Sequence, residues 1–566
     1  MPPSEGGSDD LSCDVLVIGG GVAALRAAVA ACESGARVII CCKGQAGRSG
    51  NTVVSTADIS AYIAALGDDD SEEIFARDTL ESGASIADER LVRLLADRSG
   101  PAVLDLERLG IPLLRDGDHI DRTRGAGHSR ARTYRADSKG LGPNKGLALS
   151  VPLVQKAREL GAQVYDRTPV VDLLISADGV TGAVAIDLEG NRILTIKSRA
   201  VIAASGGFSH LFARTNGTAD ATGDLITLGL RAGAVARDLE FVQWHPTRMD
   251  QPVPLFLTNG LLADGAVFRD RDGREFMADY DSRANLAPRD VLAKGIFLEA
   301  QSGRGVDGGV YLDCSAIPPD RIALRHAYLE QTLQKHGVDL SKDWLVVSPS
   351  THFSMGGLTI DQRAASSMPG LFVAGETAGG IHGANRLGGN AFCEGLVFGT
   401  IAGKAAAEYA RATSSAPAVD EDATIAGVVD STAPDPRPAT TALWQQMRQE
   451  MWRDAAIVRD ANSLEQAGRT LAAIGEEAAS LRAPSARDTA RLLELRAGVG
   501  CAQLVVATAL FRQESRGAHW RSDFPATADV WYGHTSVQWR ADQVQPELRF
   551  IAKATPAAEG LQTIEG

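Results

Sequence analysis

Residues 14–43 read DVLVIGGGVAALRAAVAACESGARVIICCK, and this stretch decides the fold class. DVLVI at 14–18 is a short apolar run suited to a buried strand, and RVIICC at 37–42 is a second. Between them Leu25, Ala28, Val29 and Cys32 recur at helical spacing, which makes a strand–helix–strand start. Gly19, Gly21 and Ala24 fit the G-x-G-x-x-G/A pattern of a dinucleotide-binding turn. The first glycine permits the tight turn, the second lets backbone approach a pyrophosphate, and Ala24 lets the helix pack closely on the strand. The helix N-terminus then faces the negative charge. An acidic residue for the adenosine ribose is usual at the end of the second strand. This chain has Cys41, Cys42 and Lys43 there instead.

Further along, EEIFARDTLESG and LVRLLADR carry helical spacing within a mixed region at 61–120. Strand-like runs follow over 163–205: QVYDRTPVVDLLI, GVTGAVAID, RILTIKS, then AVIAASGG. Residues 242–350 are richer in charge and turn signals, and LFVAG at 371–375 reads as another buried strand before a helix over 390–410. Residues 409–438 mix Ala, Pro, Ser, Thr and Asp without a period and read as a linker. Helical patterns dominate 439–515, and the end of the chain reads as strand and turn.

The chain has 566 residues, 44% hydrophobic and 23% charged, which predicts a soluble globular protein of several domains. Its 59 glycines exceed the usual share of roughly 7% and follow no collagen period, so they need local explanations. With 57 Lys and Arg against 71 Asp and Glu the net charge is −14, and only 5% of residues are aromatic. That balance argues against a nucleic-acid partner, which needs a basic surface. A small anionic ligand needs only a few convergent cations and is not excluded. The seven cysteines are widely spaced and form no CxxC pair, so neither a disulfide scaffold nor an iron–sulfur cluster or other metal is expected in this chain. The N-terminus lacks an apolar leader, and no uncharged apolar run reaches about 18 residues. No transmembrane segment and a cytoplasmic location are the expectation.

More specific stretches lie elsewhere. TGDLITLGLRAGA at 222–234, EFVQWHPT at 240–247, THFSMGG at 351–357 and LFVAGETAGGIHGANRLGGNAFCEGLVFG at 371–399 occur in this order. RQESRGAHWRSDFP at 512–525 and WYGHTSVQW at 531–539 follow. The ordered set resembles the flavoprotein subunits of succinate dehydrogenase and fumarate reductase, and their soluble relative L-aspartate oxidase, over residues 12–540. The resemblance implies an α/β fold: a split Rossmann-like FAD-binding domain, an inserted α+β capping domain and a C-terminal helical domain. The implied boundaries are 11–241 and 349–408 for the FAD-binding domain, 242–348 for the cap, 409–438 for a linker, 439–540 for the helical domain and 541–566 for a tail. It also implies FAD, and a small dicarboxylate or amino-dicarboxylate that exchanges hydride with flavin N5.

Roles carry over residue by residue. Arg289, in LAPRD, matches the proton carrier of the cap, whereas composition alone would make it a surface ion-pairing residue. Arg386, in GANRLG, matches the arginine that clamps a substrate carboxylate with its rigid fork of donors. His245, His352 and Thr258 match further carboxylate ligands. Gly19, Gly21, Ala24, Lys43, Ser49, Gly206, Gly207, Asp224, Glu376 and Asn390 match positions around FAD, with Glu376 on the ribityl or ribose hydroxyls. The helix that starts in GxNAF would face the flavin's pyrimidine end. His382 lies beside it. The glycine clusters at 19–21, 206–207, 356–357, 379–389 and 395–399 are expected where backbone approaches or turns around the flavin.

Two stretches depart from the resemblance. GRSGNTVVST at 47–56 has Gly50 and Asn51 where the membrane-complex enzymes carry a histidine bonded to the flavin, so the FAD is expected to be noncovalent. TNGLLADGA at 258–266 has Asn259 and Leu262 where a glutamate and an arginine relay protons, with Asp264 as the remaining acid. The expected function is an FAD-dependent oxidoreductase acting on a C4 dicarboxylate of the fumarate/succinate type. The alternatives are an L-aspartate oxidase or related amino-acid oxidase, and the flavoprotein subunit of a multi-subunit complex with an iron–sulfur partner.

Overall fold

The computed structural model describes residues 9–67, 69–125, 127–141, 145–257, 260–413, 427–539 and 546–553. At its centre, β1 (Asp9–Ile18) lies between β2 (Val38–Cys41) and the long strand Arg192–Ala203, parallel to both. Helix α1 (Val22–Glu33) crosses over between β1 and β2, as the quoted stretch predicts. The full sheet has seven strands; Gln163–Tyr165 extends it beyond β2, and the hairpin Val170–Ser176 and Gly179–Asp187 extends the other side. Leu371–Val373 joins in parallel to the end of Arg192–Ala203, so the second half of the chain returns to the first sheet.

Two strand assignments differ from the sequence reading. RILTIKS and AVIAASGG form one strand, because the Arg199 side chain at their junction leaves the sheet to pair with Asp14 at 2.7 Å. QVYDRTPVVDLLI is two strands, broken at Asp166–Pro169, where Arg167 is left-handed (φ 50°) and Pro169 has no N–H to give a ladder.

Two kinds of glycine shape this core. Gly19 has φ 134°, and a Cβ there would lie 2.1 Å from the Ala204 carbonyl, so only glycine lets the chain leave β1 beside its neighbour. Gly399 and Gly403 stand one turn apart on the helix Asn390–Ala412 and bring it onto the α1 backbone; a Cβ would meet the Ala23 and Ala27 carbonyls at 2.7 and 2.2 Å. Of the cluster expected at the flavin, Gly395 borders the cavity, while Gly399 serves helix packing instead.

The insertion begins and ends in one ribbon. Strands Val242–Met249 and Leu345–Ser354 pair antiparallel and form the middle of a five-stranded sheet, with an apolar core of its own that includes Phe268, Phe276, Ile296 and Val347. The helix Arg289–Gln301 packs across this ribbon.

Helices Arg437–Asp454, Ala461–Ser480 and Ala486–Phe511 form the C-terminal bundle. Ala486–Phe511 is long and apolar enough to span a membrane, yet its apolar window is 67% buried within the protein. Strand Gly533–Gln538 returns to pair with Val235–Arg237, and Glu547–Ala552 adds an edge strand inside the stretch read as a tail. The motifs EFVQWHPT and RQES meet here: buried Arg512 bonds Glu240 at 2.6 Å and Glu514 at 2.9 Å. Glu240, Arg512 and Glu514 close the fold; they do not face the cavity.

Candidate active site

A cavity of about 790 Å³ runs from the β1–α1 turn to the underside of the cap. Gly19, Gly21, Lys43, Ser49, Gly206, Asp224 and Glu376 line it, together with His245, Arg289, His352 and Arg386. Ala24, Gly207 and Asn390 stand behind its wall. Ala24 is fully buried, and a Cβ on Gly207 would sit 1.9 Å from Ser354 Oγ and 2.4 Å from Glu376 Oε1. Asn390 gives its amide to Thr79 at 3.0 Å. Thr258 and Asn259 lie outside the described residues.

The cofactor end suits a dinucleotide. Helix α1 starts at Gly21 and the helix Asn390–Ala412 at Gly389; neither glycine can cap its own helix, and among the described residues only Val22 N–H at the α1 start has a side-chain acceptor, Thr52 Oγ1 at 3.1 Å. Both therefore present backbone N–H groups and a positive dipole end to the cavity, which suits a pyrophosphate at the first and the electron-rich end of a flavin at the second. Glu376 accepts from the backbone and hydroxyl of Ser354 at 3.0 Å each; burial pushes its carboxyl up, against those bonds. Asn51 gives its amide to Glu376 at 3.4 Å and accepts from the Thr218 backbone at 2.8 Å. A carboxamide nitrogen is not nucleophilic, so FAD is held without a covalent bond. Acid precipitation should leave a colourless pellet, and all the FAD should appear in the supernatant; flavin retained on the polypeptide would refute this.

Lys43 answers the missing acid of β2 in an unexpected way. Its ammonium bridges Asp224 at 3.0 Å and Glu494 at 2.7 Å, and also bonds Thr222 at 2.7 Å. Burial opposes the charge, but the two carboxylates hold the lysine above its ordinary value. Two carboxylates thus gather at the end of β2, one of them from the C-terminal bundle. Lys43→Met leaves them facing each other and should lower the urea-unfolding free energy by about 2 kcal/mol, less than a fully buried pair because Glu494 is part exposed.

At the other end the ribbon supplies two histidines. The pairs Gln243↔Phe353 and Trp244↔Thr351 skip His352, so His352 is the extra residue of a β-bulge. A bulge re-aims a side chain, and here it points His352 into the cavity beside His245, with ring centroids 5.4 Å apart. Asn216 Nδ2 donates to His352 Nδ1 at 2.9 Å, which leaves the ring proton on Nε2. Burial, then the charges of Arg386 and Arg289, hold His352 well below its ordinary value, so it is a neutral donor. Phe256 lies 4.0 Å from His245 and stacks parallel to His352 at 5.8 Å.

The two arginines enter from opposite sides. Arg386 is braced by Gln243 Oε1 at 2.8 Å and rests 4.6 Å over the Phe353 ring, while its Nε has no partner. Burial, then the nearby charge of Arg289, lowers it to about 10. Arg289 is the first residue of the cap helix, and its Nε is buried without a hydrogen bond. Burial lowers it too, offset by the carboxylate of Asp58. Neither arginine has an ion-pair partner among the described residues. Beneath the cap, Asp264 bonds His326 at 2.8 Å and Arg325 at 2.7 Å. Burial opposes its charge, but these two partners hold the carboxyl below its usual range. Leu262, beside it in sequence, is in the apolar core of the cap.

The sequence reading missed Asn216, Gln243, Phe256 and Glu494, as well as the pair Asp58–Arg135 that lines the cavity near Arg386. Gln243 sits inside a motif already singled out; the others carry no local signal. His382 pairs with Glu394 at 2.8 Å, both fully buried and away from the cavity.

A family model for FAD-binding domains matches residues 14–392, and one for the fumarate reductase flavoprotein C-terminus matches residues 444–559. A fumarate reductase (CoM/CoB) chain of Methanothermobacter marburgensis is 34% identical over 93% of this chain and 96% of its own length. L-aspartate oxidase of Caulobacter vibrioides is 35% identical over 95% of this chain and 98% of its own. Among solved structures, Mycobacterium smegmatis Sdh1 superposes with a TM-score of 0.86 at 30% identity, covering 97% of this chain and 96% of that one. E. coli quinol fumarate reductase FrdA superposes with a TM-score of 0.87 at 26% identity, over 97% and 98%. An FAD cradle, a capped cavity lined by two arginines and these matches over nearly the whole chain have one reading: the chain belongs to the FAD-dependent oxidoreductases of the succinate dehydrogenase and fumarate reductase flavoprotein family, which includes the L-aspartate oxidases.

Proposed function

We propose that this protein exchanges hydride between bound FAD and a C4 dicarboxylate, with Arg289 as the proton carrier. The observation that carries the reading is a pair of guanidiniums facing one cavity, Arg386 buried and Arg289 half-buried with its Nε enclosed, neither with an ion-pair partner among the described residues. A buried charge costs several kcal/mol unless it is compensated, and a dianion compensates both. Gly19, Gly21, Ser49, Gly206, Asp224 and Glu376 would hold the FAD, and Gly207 and Asn390 would shape the wall behind it. Bound flavin supplies hydride exchange at N5. Thr247 N–H donates to His245 Nδ1 at 3.3 Å, so both histidines carry the proton on Nε2; these Nε2–H groups and Arg386 grip a carboxylate and turn the adjacent carbon towards the flavin. Arg289 holds a proton at its guanidinium on the cap side, and burial makes that proton easier to lose than in water. Phe256 and the cap exclude water.

The fumarate/succinate pair is the reading that the two guanidiniums and two histidines support by themselves. Oxidation of an amino-dicarboxylate is a second, favoured by Asp58 at the same end of the cavity. With no group of cluster ligands among the described residues, the chain would pass electrons to oxygen or to a partner, and an iron–sulfur subunit is the partner we propose. Purified holoenzyme titrated with succinate, fumarate and L-aspartate should show a shifted flavin spectrum with at least one of them. If none perturbs the flavin, the dicarboxylate assignment falls.

A further inference from the structure

We propose that Asp58 is a specificity-determining residue, which makes an amino-dicarboxylate the preferred occupant over the plain dicarboxylate; this rests on the dicarboxylate reading above. The strand Ile59–Ser60 is pinned to the Arg386 loop: the Ser60 backbone donates to Gly389 at 3.2 Å and its hydroxyl to Gly388 at 2.8 Å. Ala57 is left-handed (φ 56°) although it is not glycine, a turn that delivers the next residue into the cavity. That residue is Asp58. Arg135 Nε bonds one of its oxygens at 2.6 Å, and Thr56 Oγ1 bonds the other at 3.0 Å.

A carboxylate offers about four acceptor directions, and two are taken here. The side chain remains 32% exposed, and both it and Arg135 line the cavity. The same corner is bordered by Thr133 and by Gly125, where a Cβ would lie 2.9 Å from Thr133 Oγ1; the absence of a side chain keeps the corner open. The charge of Asp58 supports the protonated forms of both Arg289 and Arg386, so it stands at the substrate end and not at the adenosine end. A plain dicarboxylate brings only negative charge to this corner and gains nothing from Asp58. An ammonium on the carbon chain gains a charge-assisted hydrogen bond to an acceptor already held in place by Arg135 and Thr56.

The test uses holoenzyme and follows the flavin spectrum during titration with L-aspartate and with succinate. The wild-type protein should bind L-aspartate about tenfold or more tightly than succinate, the factor expected of one charge-assisted bond. Asp58→Asn should weaken L-aspartate by about 10- to 100-fold and leave succinate equal or tighter. Equal weakening of both ligands would reduce Asp58 to a brace for Arg135 and overturn the proposal. Should the variant fail to hold FAD, the wild-type preference decides alone: succinate bound as tightly as L-aspartate overturns the role of Asp58 and leaves the dicarboxylate reading standing. Silence with both ligands overturns the two together.

Discussion

Arg289→Ala is expected to lower turnover by about 10³- to 10⁴-fold, the range for removal of a positioned proton carrier. The flavin should stay bound, and the dissociation constant of the dicarboxylate should rise by only about tenfold, the loss of one charge-assisted contact. The expectation follows from position. Arg289 opens the cap helix, its Nε is buried without a hydrogen bond, and desolvation brings its proton closer to the range in which it can be exchanged. Of the other cap groups, Asp264 is committed to His326 and Arg325, Leu262 has no proton to give, and Asp290, whose Oδ1 is also buried without a hydrogen bond, does not line the cavity. Steady-state rates with an artificial electron carrier, read beside equilibrium titrations, separate the two effects. A variant that keeps a tenth of the turnover would end the assignment of Arg289.

Arg386→Met should fail differently. Loss of a two-pronged, charge-assisted grip predicts a fall of about 10³-fold in kcat/KM, most of it in KM. Gln243 and Phe353 would still frame an apolar chain of similar length, so the flavin content should not change. The same residue sets a pH limit. The clamp needs the protonated guanidinium, which burial and then Arg289 have lowered to about 10. In the wild type, log kcat/KM should therefore hold level on the neutral side and fall as pH rises through about 10. In Arg289→Ala one of the two causes is removed, so the break should move to higher pH. A break that stays in place would assign it to another group.

Local rules made the nucleotide turn legible, because Gly19, Gly21 and Ala24 act through backbone geometry that three residues can specify. Arg289, Arg386, His245 and His352 were legible only through the stretches around them; each alone reads as an ordinary polar residue. Other members of the site come from contacts between distant parts of the chain. Glu494 reaches Lys43 from a helix in the C-terminal bundle, and Asn216 sets the tautomer of His352 across 136 positions. Asp58 meets Arg135 across 77. No window of sequence holds both partners of any such pair. The bulge that aims His352 was equally hidden, since it exists only once two strands of the ribbon are in register.

That ribbon carries both histidines on neighbouring strands, while Arg289 belongs to a helix laid across it. The spacing of the two imidazoles is therefore set by sheet hydrogen bonds, and only the guanidinium depends on how the helix is seated. Loosening that seat, for example at Ile296 in the cap core, would turn a catalyst into a trap: the dianion would still be held on the floor, and its conversion would stop.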